Sequence, residues 1–257
     1  MDTSAYLARI GVSTPLSPDP QSLSKLHLAH LMTVPFENLD IHLGREIALD
    51  EKLFFDKVVR RRRGGFCYEL NGLFAALLRQ LGFRVTLLSA QVARAEGGFG
   101  PEYDHLTLLV EFPGHQPRRL ADVGFGDSFR EPLLFDEPGE QAAAPHDNAR
   151  AYRLDRDREA TTLLRRQEDG IWKPLYRFSE TSRRLEEFAL MCRYQQTSPE
   201  SHFTQRRICS RATATGRITL ADLRFIVTAN GTRTERTLEE AQYRAVLLED
   251  FGIALKA

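Results

Sequence analysis

At Gly82 the period of the apolar residues changes, and that change confines the chain to folds that join a helical part to a β part. From Cys67 onward Leu70, Phe74, Leu77, Leu78 and Leu81 recur at helical spacing, which closes at Gly82. Beyond it, Phe83 to Val92 and His105 to Phe112 read as strands, the second ended by the turn Pro113-Gly114. A third strand, Arg119 to Val123, follows at once and stops at Gly124-Phe125-Gly126. Strands joined by so short a turn predict an antiparallel hairpin.

The rest of the first third is also helical in pattern. Leu23, Leu26, Leu28, His30 and Leu31 predict a helix that ends before Val34-Pro35. Val34 to His42 reads as a loop, either a plain connection or one that sets Phe36 in a pocket and Glu37 against an arginine, with Arg63 the expected partner. Glu51 to Arg62 predicts another helix, whose terminal run Arg60 to Arg63 complements the C-terminal dipole. That reading is preferred to a nucleic-acid patch. His27 and His30 lie three apart on one helix, but no further ligands at a recognised metal spacing accompany them, so no metal site is expected.

The glycine-rich stretch Ala95 to Asp104 matches neither a P-loop nor a dinucleotide fingerprint and reads as a surface loop. Leu133 to about Arg150 is expected to be an irregular connection. Short strands follow at 151–154, 161–164 and 172–178, so the middle third reads as all-β. Helical pattern returns over Leu185 to Cys192, then a turn over Thr197 to Phe203, then strands at 207–209, 217–220 and 223–227, the last ended by Asn230-Gly231. Thr237 with Glu240 has the form of a capping box opening a last helix that runs to Gly252.

Lys plus Arg and Asp plus Glu number 35 each, and this balance argues against a surface built for nucleic acid or an anionic membrane. Small-molecule chemistry is the better expectation. Cys67, Cys192 and Cys209 are too few and too scattered for a disulfide framework, which points to a reducing, cytoplasmic setting. Met1 to Ser4 lacks a basic segment leading into an apolar stretch, and no apolar run approaches the roughly 18 residues of a membrane span. A soluble, unexported protein is expected. Over 257 residues, one elaborate domain or two to three small ones are both allowed.

Chemistry gathers at Arg63-Gly64-Gly65-Phe66-Cys67-Tyr68-Glu69-Leu70-Asn71. Gly64 and Gly65 are expected to turn the chain into the helix that Cys67 begins. A thiol there feels unpaired N–H groups and the positive end of the dipole, which suits a nucleophile, although free cysteines are also commonly buried and structural. The hairpin decides between these readings. His105 opens its strand and Asp122 closes the next, so both lie at the same end of the sheet, and residues directly opposite on paired strands are about 5 Å apart at Cβ. Nucleophile, base and orienter then stand in the order Cys67, His105, Asp122. A cysteine paired with a histidinium titrates between roughly 3.5 and 7.5, so a thiolate is expected at neutral pH, with N–H groups of the helix start as oxyanion donors. Cys192 and Cys209 lack such a setting and read as structural.

The Cys67 stretch, together with Val34-Pro35-Phe36-Glu37-Asn38-Leu39, His105-Leu106-Thr107-Leu108-Leu109-Val110 and Asp122-Val123-Gly124-Phe125-Gly126, resembles the arylamine N-acetyltransferase family. Ser198-Pro199-Glu200-Ser201-His202-Phe203 resembles that family's motif at the start of its third domain, and the likeness covers nearly the whole chain in order. The resemblance implies an α+β fold with a papain- or transglutaminase-like core. A helical bundle over 1–83 would carry the cysteine, an antiparallel β-barrel over 84–184 the histidine and aspartate, and an α/β lid would span 185–257. It implies ping-pong transfer of acetyl from acetyl-CoA, a co-substrate, through Cys67 to arylamines, arylhydrazines or N-hydroxyarylamines, with no metal and no prosthetic group. Phe36, Phe125 and Phe203 would wall the pocket, while the position of Gly98, Gly124 and Gly126 on loops flanking the triad makes them the expected contacts for CoA. Rivals sharing the triad are papain-like and transglutaminase-like enzymes, which cut or cross-link peptides and of which the papain-type cysteine signature is absent, and amide synthases that close macrocycles on a carrier-bound chain. A non-enzymatic binding module has only the arginine run behind it.

Overall fold

A computed structural model of the chain describes residues 1–13, 16–114, 116–137, 139–141 and 150–255. Its first elements are helices α1 (Thr3–Arg9) and α2 (Pro20–Thr33), strand β1 (Phe36–Glu37), and helices α3 (Leu39–His42), α4 (Glu51–Phe55) and α5 (Cys67–Gln80). Their starts are chemically fixed. The Asp2, Asp19 and Asp50 carboxylates accept from Ala5, Ser22 and Lys52 N–H, and Pro20 occupies the first turn of α2. Every residue of α5 from Cys67 to Leu78 is buried, not only the apolar stripe, so α5 is the central helix of the bundle. The segment expected as a loop, 34–42, instead holds β1 and α3. The helix expected through Arg62 departs too: α4 widens into a single π-turn at Asp56–Arg60, and Arg62 at φ 53° ends it. That wide turn buries Lys57, Val58 and Val59.

The middle of the chain forms one eight-stranded antiparallel, barrel-like sheet. Its strands are β2 (Arg84–Val92), β3 (His105–Glu111), β4 (Arg119–Ala121), β5 (Leu133–Leu134), β6 (Glu140–Gln141), β7 (Tyr152–Arg156), β8 (Thr161–Arg166) and β9 (Trp172–Arg183), in the order β5-β4-β3-β2-β9-β8-β7-β6. Part of the expected irregular connection is therefore β5 and β6, each two residues long; residues 142–149 of it lie outside the described residues. Pro174, which cannot donate to a ladder, sits where the β8–β9 register shifts. Leu120, Phe129, Tyr152, Leu163 and Tyr176 fill the sheet's own core.

A 3₁₀ turn (Leu185–Phe188), helices α6 (Ala189–Thr197) and α7 (His202–Gln205), strands β10 (Ile208–Thr213), β11 (Gly216–Ala221), β12 (Arg224–Ala229) and β13 (Thr232–Thr237), and helix α8 (Glu240–Phe251) complete the α+β fold. The second sheet has the order β1-β10-β11-β12-β13, so the two residues of β1 pair with Ser210 and Cys209 and tie the bundle to the C-terminal unit. The expected turn at 197–203 runs into α7. Thr237 ends β13; the cap of α8 is Glu239, two residues later, whose N–H donates to Gln242 Oε1, and Gly252 at φ 69° closes the helix. The bundle's buried cluster also takes in Leu106, Leu108 and Val110 of β3 and Phe188 and Cys192 beyond the sheet, so residues from all three parts pack around α5, while the sheet and the C-terminal unit each keep a core of their own.

Both α2 histidines are fully buried, and burial depresses both, His30 to about 3. A basic group depressed in the folded state is protonated first in the unfolded chain, so its stabilisation is complete above pH 6.5 and is lost as pH falls toward 3. Between pH 6.5 and 5 the loss from His30 is about 2 kcal/mol. Buried Glu69 and Asp104, whose carboxyls burial raises, act in the opposite direction, so the comparison is with a variant. Urea unfolding is expected to show a smaller drop from pH 7 to pH 5 in His30→Gln than in the parent. An equal drop in both would assign the acid sensitivity to other groups.

Candidate active site

The Cys67 stretch folds as a close-packed corner. Neither Gly64 nor Gly65 has a positive φ; what requires them is proximity, because a Cβ at Gly64 would lie 1.9 Å from Pro35 O and one at Gly65 2.8 Å from Glu69 Cβ. Glu69 accepts the Phe66 N–H at 3.1 Å and fixes the helix start. Cys67, 3% exposed, is the first helical residue. Burial pushes the thiol well up; the Leu106 N–H works against this, and the Asp104 and Asp122 carboxylates add to it. The free thiolate expected at neutral pH is thus opposed by the site, since taking a lone charge out of water is unfavourable.

His105 and Asp122 meet, but not as opposite residues. Strand β4 ends at Ala121 opposite Leu108, which sets Asp122 level with Thr107 and makes His105 its diagonal neighbour. The imidazole Nε2 still lies 2.7 Å from Asp122 Oδ2. Three more donors converge on this carboxylate: Tyr176 OH at 2.9 Å, Asn71 Nδ2 at 2.8 Å and Gly124 N–H at 3.0 Å. Burial alone would raise the Asp122 carboxyl, but His105 and the bonds from Asn71 and Gly124 hold it below its usual range. Asn71 also donates to Leu106 O at 2.6 Å and accepts from Val123 N–H at 2.9 Å, so one amide joins α5, β3 and the loop after β4.

Of the remaining expected residues, most gather here. A Cβ on Gly124 would lie 2.8 Å from Cys67 Cα, and one on Gly126, at φ 91°, 3.8 Å from the Phe36 ring. Phe125 sits edge-on to His105 at 5.2 Å, and Phe203 contacts Phe36 at 6.1 Å and Phe66 at 5.9 Å. All three aromatics expected at the pocket are half-buried. Gly98 stands apart, at the exposed tip of the β2–β3 connection, where an added Cβ would meet nothing within 4 Å. Cys192 and Cys209 are buried, and burial pushes the Cys192 thiol up to about 12.

Sequence reasoning paired Arg63 with Glu37 and missed what surrounds them. Arg63 bonds Glu37 at 2.8 Å and Asp40 at 3.1 Å, while Lys57 bonds Asp40 at 2.8 Å and Glu69 at 2.9 Å. All five are buried. Three carboxylates thus share two cations directly beneath the helix start that carries Cys67. Lys57→Met leaves the three acids with Arg63 and the exposed Arg45, 3.8 Å from Asp40, and a loss of about 3–5 kcal/mol in denaturant unfolding is expected. A loss below about 1 kcal/mol, the worth of a surface pair, would show the acids to be neutral. Tyr176 and His27 were also missed as site residues, and nothing in the local pattern around either one marks it. Among the described residues, no group of three or more His, Cys, Asp or Glu could hold a metal ion, and no helix is long and apolar enough to cross a membrane.

The chain has clear relatives. The family model described as N-acetyltransferase matches residues 19–257. The arylamine N-acetyltransferase of Mycolicibacterium smegmatis is 37% identical over 99% of this chain and 93% of its own, and that of Escherichia coli K12 34% identical over 97% and 88%. Among solved structures, the M. smegmatis arylamine N-acetyltransferase matches with a TM-score of 0.91 at 33% identity over 99% of this chain and 93% of its own. The Mycobacterium marinum enzyme in complex with CoA matches with a TM-score of 0.88 at 32% identity over 98% and 93%. The match spans the bundle, the barrel-like sheet and the C-terminal unit, and the protein accordingly belongs to the arylamine N-acetyltransferase family of acyltransferases.

Proposed function

We propose that the protein moves an acetyl group from acetyl-CoA to arylamines, arylhydrazines or N-hydroxyarylamines by a ping-pong reaction through a Cys67 thioester. The observation that carries this reading is the His105–Asp122 bond at 2.7 Å, with Gly124, two residues after Asp122, so close to Cys67 that a Cβ on it would lie 2.8 Å from the Cys67 Cα. That relatives acetylate arylamines, and that one was solved with CoA, supports the substrate class. The reading assigns the nucleophile to 1–83, its base and orienter to 84–184 and a lid to 185–257, in a reducing cytoplasm where all three cysteines stay free.

His105 takes the Cys67 proton, which turns thiol and imidazole into a thiolate and an imidazolium. The proton moves within the buried site, so no net charge is created there and the burial that disfavours a lone thiolate is offset. The sulfur attacks the acetyl carbonyl, N–H groups of the first turn of α5 receive the oxyanion, and the CoA thiolate leaves with the proton from His105. In the second half the amine attacks acetyl-Cys67 with its nitrogen lone pair, the thiolate leaves, and His105 takes the amine proton. Phe36, Phe125 and Phe203 would exclude water from the thioester and stack against an aromatic acceptor. Bound CoA would pass Gly124 and Gly126, with Gly98 at the loop tip. Gly126→Val and Gly98→Val are expected to raise the acetyl-CoA KM; an unchanged KM would remove these contacts.

Incubation with acetyl-CoA alone, followed by intact mass measurement, tests the function. One acetyl group per chain is expected, mapped to Cys67 and discharged on adding an aromatic amine. A chain that gains no acetyl group would sink the reading.

A further inference from the structure

His27, on α2, contributes no group to the chemistry above, yet it is fully buried directly behind Asp122. Its Nδ1 lies 2.9 Å from Arg130 O, and its Nε2 3.1 Å from both the backbone N and O of Asp122. On a neutral ring only a proton on Nδ1 serves both partners, because a proton on Nε2 would set the Nδ1 lone pair against Arg130 O and leave the Asp122 N–H without an acceptor on the ring. Burial keeps the ring neutral, and Nε2 therefore accepts from the Asp122 N–H. One imidazole thus holds both ends of the segment from Asp122 to Arg130. This segment contains Gly124 against Cys67, Phe125 against His105 and Gly126 against Phe36.

The ring is itself held rigidly. Phe129 stacks on it with centroids 5.6 Å apart and planes 5° from parallel, and Phe74 of α5 meets it edge-on at 6.2 Å. Beyond the clamp, the Arg130 guanidinium donates to Thr213 O and Gly216 O of the β10–β11 hairpin. The loop therefore has the form of a compact closed loop with its ends drawn together. In place of a backbone ladder, a side chain from a distant helix closes it.

We propose that His27 is a positioning residue: by joining Asp122 to Arg130 it sets the direction from which Asp122 reaches His105 and the place of Phe125 in the acceptor pocket. The proposal rests on the reading of Cys67, His105 and Asp122 given above. His27→Leu keeps the volume and removes both bonds. It is expected to slow acetylation of Cys67 about 100-fold, the scale of an ångström-sized misplacement. The arylamine KM is expected to rise as Phe125 shifts. His27→Gln, which offers one donor and one acceptor, should restore acetylation to within about tenfold of the parent.

A spectroscopic readout separates positioning from mere stability. The downfield proton resonance of the His105–Asp122 hydrogen bond is expected to be present in the parent and in His27→Gln and lost or shifted in His27→Leu. A His27→Leu protein that melts earlier but keeps the parent's resonance, acetylation rate and arylamine KM would overturn the proposal. If His27→Leu fails to fold, His27→Asn takes its place, since its amide reaches Arg130 but not Asp122; parental values for it would be equally decisive against. The resonance is read without acetyl-CoA, so a parent that takes no acetyl group would sink the function and leave the clamp testable.

Discussion

Asp122→Asn is expected to slow acetylation of Cys67 by about four orders of magnitude while the protein stays folded. The carboxylate accepts from four donors, His105, Tyr176, Asn71 and Gly124, and an amide has only one oxygen to offer them. With its oxygen toward Asn71 and Gly124, the amide nitrogen faces His105 and Tyr176. A donor facing His105 Nε2 moves the ring proton to Nδ1, so the ring no longer has an acceptor for the thiol proton. The unmet hydrogen bond costs about 1–3 kcal/mol, which a 257-residue fold can absorb. The measurement is the rate of acetyl gain by rapid-quench mass spectrometry, beside a circular dichroism melt. A rate within tenfold of the parent would mean that Asp122 is a packing residue and not the orienter.

Cys67→Ala is expected to abolish acetyl gain and arylamine acetylation altogether, because the mechanism has no second nucleophile. Cys192 and Cys209 do not substitute. Both are buried, burial pushes both thiols up, and neither sits beside a histidine base. Removing one sulfur from the residue against Gly124 is expected to alter the melting temperature little, so loss of activity in a folded protein is a clean readout. An acetyl adduct that persists in Cys67→Ala would transfer the chemistry to another residue.

Long elements were legible in the sequence because their signal is local. Helix α5 starts at Cys67 as its spacing predicts, and β2 and β3 lie within a residue of their expected bounds. Short elements were not. β1, β5 and β6 have two residues each, too few to display a period, and each exists only because a distant strand pairs with it. β13 is six residues long but exposed throughout, so it carries no apolar alternation. The capping box of α8 was misplaced by two residues for the opposite reason: Thr237 and Glu240 have the right spacing, and β13 had already claimed Thr237 for its ladder with Arg224.

The sequence by itself determined which three residues could form a nucleophile, base and orienter, because each is announced by its neighbours: glycines and a helix start for Cys67, a strand start for His105, a strand end for Asp122. Only the tertiary structure decided how those residues are held. Tyr176 reaches Asp122 across 54 residues, Asn71 across 51 and His27 across 95, and the five buried charges under α5 come from three separate stretches. Hydrogen bonds and desolvation depend on what lies within a few ångströms, while sequence patterns report only what lies within a few residues. For that reason the burial that raises the Cys67 thiol, and the clamp behind Asp122, could be read only from the folded chain.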